Sequence, residues 1–240
     1  LMDIGLQQSG IEINSAFEID AAACKTYRHN VGEVSQVDIS KKLVSGDLDC
    51  DGMVFTYPCK RYSKISNVHK TRTGDDLFLH GLRHLAIRRP EFYIVENVPG
   101  MTKFPLVMET LTELAGYYIT KFCPVKTNLW LPQERDRMII IGTRKPFAIR
   151  PPSSHKQITL ASILEPDPDI GEMPDSVASR MNGLFRDRPL IRDPAKGEIA
   201  GCCMAHYAKD RSTQMVVDKR YEFGVRPYTV REFARLQGLP

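Results

Sequence analysis

The chain has 240 residues, of which 42% are hydrophobic and 26% charged. That is ordinary globular usage; it supports a sizeable core and excludes disordered, collagen-like and coiled-coil chains. The formal net charge of +4 is unevenly placed: residues 176–235 hold 12 Lys/Arg against 7 Asp/Glu, and residues 1–175 hold 21 against 22. A basic C-terminal third on a near-neutral body fits a polyanionic partner, although a solvated surface is the plainer reading of charge alone. No apolar run reaches the roughly 18 residues of a membrane span, so no membrane association is expected. The opening LMDIGLQQSG shows no basic segment ahead of an apolar stretch, as a secretory leader would. The six cysteines are irregularly spaced, which points to a reducing cytoplasm and not to a disulfide framework.

In chain order, residues 1–10 read as a helix stopped by Ser9-Gly10, and 11–19 as a strand ending in Phe17-Glu18-Ile19-Asp20. Asp20 is placed to cap a helix running through His29. Met53 to Thr56 reads as a short buried strand. Leu77, Phe78, Leu82 and Leu85 recur at helical spacing within 75–88. Phe92 to Val95 is a second buried strand, 104–116 a helix, 117–123 a strand, and MIIIGT at 138–143 another. Strands alternating with helices over 11–145 predict a parallel sheet covered on both faces. From Arg150 prolines cluster at 151, 152, 166, 168 and 174 and long periodic runs disappear, so 151–225 reads as an irregular lobe. In 226–240 Val230, Phe233, Ala234 and Leu236 form an apolar stripe on a helix ended by Gly238.

Ligands of open parallel sheets gather beyond the carboxyl ends of the strands. Glu18, Cys59 and Glu96 all fall there. A carboxylate at position 18 suits two ribose hydroxyls, and Asp38-Ile39 follows where an acid could receive an adenine amino group. Cys59 follows Pro58 at a strand-to-loop turn, beside a basic run of Lys60, Arg61, Lys64, Lys70 and Arg72 that favours thiolate and phosphate contacts. Glu96 closes an apolar strand, where a raised pKa would let it act as an acid. Arg135 and Arg137 alternate ahead of MIIIGT and would point to one side of an extended chain. Taken singly, each also reads as a surface carboxylate, an inert thiol, a turn cap or a charged strand entrance. His80 and His84 lack an acidic ligand pattern and read as a packing or solvated face; no metal site is expected.

The order of these pieces resembles the DNA (cytosine-5) methyltransferase family. FEID at 17–20 resembles its ribose-binding turn, VDIS at 37–40 its adenine-contacting turn, and TYPCKRYS at 56–63 its Pro-Cys nucleophile loop. DDLF at 75–78, ENVPG at 96–100, QERDR at 133–137 and RPYTVREFARLQGLP at 226–240 follow in the family's order. The resemblance implies a Rossmann-like, doubly wound α/β fold with a mainly parallel sheet: a catalytic domain at 1–150, a target-recognition lobe at 151–225 and a return segment at 226–240. It implies S-adenosylmethionine as cofactor, contacted by Glu18, Ile19, Asp38, Ile39, Pro58 and Leu77. It implies methyl transfer to C5 of a flipped cytosine in double-stranded DNA, with Cys59 adding to C6, Glu96 on N3 and the exocyclic amine, and Arg137, supported by Arg135, on O2. Lys60, Arg61, Ser63 and Lys64 would contact DNA, with residues 151–225 reading sequence in a groove.

The family's Phe-x-Gly-x-Gly loop and its closing Gly-Asn segment are not among the 240 residues, which leads to the expectation of a fragment or of a split or permuted enzyme. Tyr57 and Lys60 stand where Pro and Gln are commoner, and Leu129-Trp130 where Tyr-Gly is; neither removes a chemical role. The rivals are an RNA cytosine-5 methyltransferase, a non-catalytic DNA-binding fragment and, on fold alone, a nicotinamide oxidoreductase. A cognate restriction endonuclease is compatible with the leading reading, as is nucleoid association in a bacterial or phage setting. The recognised DNA site and the oligomeric state are not legible.

Overall fold

The computed structural model describes residues 1–46, 49–58, 77–151, 153, 158–183 and 190–239. The chain packs as two compact units, Leu1–Cys123 with Met138–Ile149, and Pro124–Arg137 with Arg150–Pro240. Two segments that the sequence reading grouped with the first domain, 124–137 and 226–240, therefore pack within the second unit.

The first unit opens with helix α1 (Met2–Gln8), strand β1 (Phe17–Glu18), helix α2 (Ala21–Asn30) and strand β2 (Ser35–Gln36). Asp20 caps α2 as expected: its carboxylate accepts from Ala23 N at 2.7 Å. The strand expected over 11–19 is confined to Phe17–Glu18, because only those residues find a partner strand, β2, with which they pair in parallel. Strand β3 (Gly52–Phe55), helix α3 (Leu77–Arg88), strand β4 (Phe92–Asn97), a 3₁₀ turn (Pro99–Lys103), helix α4 (Pro105–Thr112), strand β5 (Tyr118–Lys126) and strand β6 (Asp136–Thr143) follow. They build a four-stranded sheet in the order β3-β4-β6-β5. β3 and β4 run parallel, as the alternation predicts, whereas β6 runs antiparallel to β4.

Strict alternation along β4 decides where the core lies. Tyr93, Val95 and Asn97 are buried, and Phe92, Ile94 and Glu96 are half-buried. The buried side meets Phe78 and Leu85 of α3, Val107 and Leu111 of α4, Met101, and Met138 and Ile140 of β6. Glycine is required twice in this sheet: a Cβ at Gly52 would overlap the ring of its β4 neighbour Phe92, and one at Gly142 the ring of Tyr93.

The second unit is more regular than its prolines imply. It holds α5 (Leu160–Ile163), α6 (Asp175–Asn182), β7 (Ile191–Arg192), β8 (Met215–Val217), β9 (Val225–Pro227) and α7 (Val230–Arg235), joined by 3₁₀ turns. β7 and β8 pair in parallel, β8 and β9 antiparallel. The helix expected over 226–240 is shortened, because Val225–Pro227 pair with β8 first. Leu160, Val216, Tyr228 and Leu236 form its main core, with the Tyr207 and Phe233 rings stacked at 4.3 Å. Among the described residues, no helix is long and apolar enough to cross a membrane.

Candidate cofactor and base site

The parallel pairing of β1 with β2 places two acidic turns side by side. Val37 N donates to Glu18 O at 2.9 Å, so the chain beyond β2 continues alongside the end of β1. Glu18 Oε1 accepts from Ile19 N at 2.7 Å and Asp20 N at 2.9 Å. A carboxylate has roughly four acceptor directions, so these two bonds orient Glu18 and leave acceptor capacity for a ligand. Asp38 is built similarly. Its Oδ1 accepts from Ser40 Oγ at 2.7 Å and Ser40 N at 3.0 Å, and these bonds hold its carboxyl below the usual carboxylate range. Ile19 is 61% exposed at the tip of β1, and Ile39 is half-buried after Asp38. Two carboxylates flanked by apolar side chains can accept from the hydroxyl and amino groups of a flat, sugar-bearing ligand.

A second group of residues lies where β3 and β4 end. Asn97 is 2% exposed, and its Nδ2 donates to Tyr57 O at 3.2 Å while its Oδ1 accepts from Val98 N at 2.9 Å. The Tyr57 hydroxyl donates to Met101 Sδ at 3.4 Å, and its ring lies 6.2 Å from that of Phe78. The backbone leading into Pro58 is therefore tied to the end of β4. Glu96, the residue before Asn97, is half-buried and projects to the opposite face of the sheet. Leu77 begins α3 and is half-buried. Cys59, Lys60, Arg61, Ser63 and Lys64 lie outside the described residues. Among the described residues no cluster of His, Cys, Asp and Glu could hold a metal ion.

QERDR lies in the second unit. Gln133 is 1% exposed; its Nε2 donates to Leu236 O at 2.7 Å and its Oε1 accepts from Cys203 N at 2.9 Å. Arg135 Nη1 donates to Cys203 O at 3.2 Å and lies 3.7 Å from Cys202 Sγ. Arg137 Nη1 donates to Asp136 O at 2.7 Å. Gln133 and Arg135 thus brace the backbone at 202–203. Sequence reasoning did not single out Gln133 or Asn97 as supports, because each holds main-chain atoms distant in sequence, Leu236 O and Cys203 N for Gln133 and Tyr57 O for Asn97.

The fold has solved counterparts. The S. pombe Dnmt2 methyltransferase superposes with a TM-score of 0.78 at 19% identity, over 100% of this chain and 83% of that one. The Entamoeba histolytica methyltransferase EhMeth superposes with a TM-score of 0.74 at 19% identity, over 98% and 81%. These likenesses define an α/β methyltransferase fold. The sequence is more particular: the C-5 cytosine-specific DNA methylase family matches residues 2–186, and the chain belongs to that family. Among its relatives, the Type II methyltransferase M1.ScrFI of Lactococcus lactis subsp. cremoris is 27% identical over 95% of this chain and 64% of its own length. M.BsuFI of Bacillus subtilis is 27% identical over 93% and 58%. The chain therefore spans less than two thirds of the length of either relative.

Proposed function

We propose that the protein is a DNA cytosine-5 methyltransferase that uses S-adenosylmethionine and works in the cytoplasm on double-stranded DNA, in a restriction-modification setting. The observation that carries the reading is the paired arrangement of Glu18 and Asp38 at adjoining strand ends, in a chain whose Tyr57-Pro58 and Glu96-Asn97 segments lie at the ends of neighbouring strands. Glu18 accepts from the ribose hydroxyls, Asp38 from the adenine amino group, and Ile19, Ile39, Pro58 and Leu77 supply apolar contact. Bound S-adenosylmethionine supplies an electrophilic methyl group.

The rest of the chemistry belongs to the chain. The Cys59 thiolate forms a bond to C6 of a cytosine held outside the helix, and the C5–C6 π electrons become available at C5. Glu96 bonds N3 and the exocyclic amine, offsetting the charge that develops on the ring. Arg137 holds O2 and Arg135 supports it. After C5 is methylated its proton passes to water, the C5–H bonding electrons re-form the C5–C6 double bond, and the C6–S bond breaks to release Cys59 as thiolate. Lys60, Arg61, Ser63 and Lys64 contact the DNA beside the flipped nucleotide, and residues 151–225 read the sequence.

The decisive test uses the full-length protein, S-adenosylmethionine and duplex DNA carrying 5-fluorocytosine, whose C5 cannot lose a proton. A covalent adduct stable to denaturation is expected, and Cys59→Ser abolishes it. No adduct on duplex DNA overturns the reading, and preferential trapping on 5-fluorocytosine-containing tRNA turns it towards RNA.

A further inference from the structure

The turn that carries Asp38 and Ile39 is well bonded internally. Lys41 N and Lys42 N donate to Asp38 O at 3.0 and 3.2 Å, in addition to the two Ser40 bonds to the Asp38 carboxylate. Such local bonds fix the shape of a turn but not its place against the rest of the unit. β2 is only two residues long and, among the described residues, pairs only with the equally short β1, so the sheet anchors the turn weakly.

A long-range anchor comes from Arg83 on α3. Its Nη2 donates to Lys42 O at 2.6 Å and to Ile39 O at 3.3 Å, reaching 41 and 44 residues back along the chain. Arg83 Nη2 also lies 3.4 Å from His84 Nε2, and His84 is buried at 4% exposure. The guanidinium is planar, permanently charged and pre-organised, so one nitrogen can bridge two carbonyls with little entropic cost. Its Nε is buried without a hydrogen-bond partner, which indicates that the side chain is placed for the grip on those carbonyls and not for its own full satisfaction. α3 is in turn a rigid element: Phe78 and Leu85, on either side of Arg83, are in the core beneath the sheet.

We propose that Arg83 is a positioning residue for the adenosine end of the cofactor. It holds the Asp38–Lys42 turn against α3, so that the Asp38 carboxylate and Ile39 stand at a fixed distance from Glu18 on β1. It touches no part of the ligand and acts through the main chain of Ile39 and Lys42. The inference rests on the reading of the β1 and β2 ends as the adenosine site. It adds that the preorganisation of this site is imposed by α3 and not by the strands that carry it.

The test compares full-length wild type, Arg83→Lys and Arg83→Ala, with Glu18→Ala and Asp38→Ala as references. S-adenosylhomocysteine affinity is measured by titration calorimetry, and amide hydrogen exchange over 37–44 is followed in the ligand-free protein. For Arg83→Ala, affinity falls about tenfold or more and exchange over 37–44 accelerates, as expected when an ordering contact is lost. The KM for S-adenosylmethionine rises by a similar factor while kcat at saturation stays within about twofold. Arg83→Lys, which can bond one carbonyl at a time, recovers part of both losses; it also carries the comparison if the alanine variant does not fold. Unchanged affinity and exchange in both variants overturn the proposal. So does a fall in kcat with KM unaltered, which marks a general structural role. If instead Glu18→Ala and Asp38→Ala leave wild-type affinity intact, it is the underlying site reading that fails, whatever Arg83 does.

Discussion

Two glutamates, one in each unit, show how differently a carboxylate can be used. Glu232 is fully buried, and all its acceptor directions are filled: Oε1 accepts from Arg226 Nη2 at 2.8 Å and Glu165 N at 2.8 Å, and Oε2 from Arg226 Nη1 at 2.7 Å and Thr229 N at 2.9 Å. Glu18 is half-exposed and bonds two adjacent amides through one oxygen. The first is a closed junction. It closes the capping box of α7 and joins β9 to the chain after α5. The second is oriented and incomplete, which is what a binding group requires. Burial and the count of filled acceptors together separate the two roles.

That contrast is broken most forcefully at Glu232. Replacing it with Ala leaves Arg226, itself 1% exposed, without its bidentate partner. Loss of one member of a buried pair costs about 3–5 kcal/mol. Trp130 is the one tryptophan and belongs to the second unit, so denaturant unfolding followed by its fluorescence reports that loss directly. Glu18→Ala removes two local bonds to the Ile19 and Asp20 amides at a half-exposed site and lowers stability by about 1 kcal/mol or less. Comparable destabilisation by the two substitutions would erase the distinction between them.

A smaller effect comes from Asp218, which links the same junction to solvent. Its side chain is bonded by Arg220 Nη2 at 2.7 Å and Arg226 Nε at 2.9 Å. The Arg220 bonds, together with Arg226 and against the penalty of burial, hold its carboxyl far below its ordinary value of 3.8. A carboxylate depressed by folding contributes stability that is present above its unfolded pKa and lost as pH falls below it towards the folded value. Unfolding of the second unit therefore becomes easier as pH drops below about 4, by about 1.5–3 kcal/mol for bonds of this charged type. Asp210, whose bonds from Ser212 outweigh its burial, acts in the same direction. Asp218→Asn consequently removes part of the acid slope, seen by repeating the Trp130 unfolding series at stepped pH. An unaltered slope would assign the acid sensitivity elsewhere.

What the sequence conveyed of the candidate site was its local pattern. FEID, VDIS and ENVP each place an acid within a residue or two of a strand end; the strands before FEID and at ENVP were expected, whereas the two-residue strand before VDIS was not. Asp20 as a cap was readable for the same reason. What was not readable depends on pairing at a distance. β6 enters antiparallel to β4, yet MIIIGT reads the same in either direction. Asn97 looks like a turn residue until its amide is found on Tyr57 O, and Arg83 looks like a surface charge on an amphipathic helix. The prolines after 150 suggested irregularity, but Pro194 opens a 3₁₀ turn and Pro227 ends an edge strand, β9, where a missing N–H is tolerated.

The least disruptive substitution tests the one periodic pattern that pointed the wrong way. Val230, Phe233, Ala234 and Leu236 read as the inner stripe of the last helix, but Val230 is 90% exposed while Leu236 is fully buried. The inner face is set by Glu232 and Leu236, four residues apart, and Val230 precedes Glu232 by two, which turns it outward. A hydrophobicity count treats Glu232 as an outside residue and so rotates the predicted face; Arg226 is what makes a glutamate acceptable inside. Val230→Ser should shift the unfolding midpoint by no more than about 0.5 kcal/mol, the range of a surface change. A loss of 1–3 kcal/mol, as for a buried valine, would return the helix to the orientation read from its apolar stripe and dissolve the Glu232 junction with it.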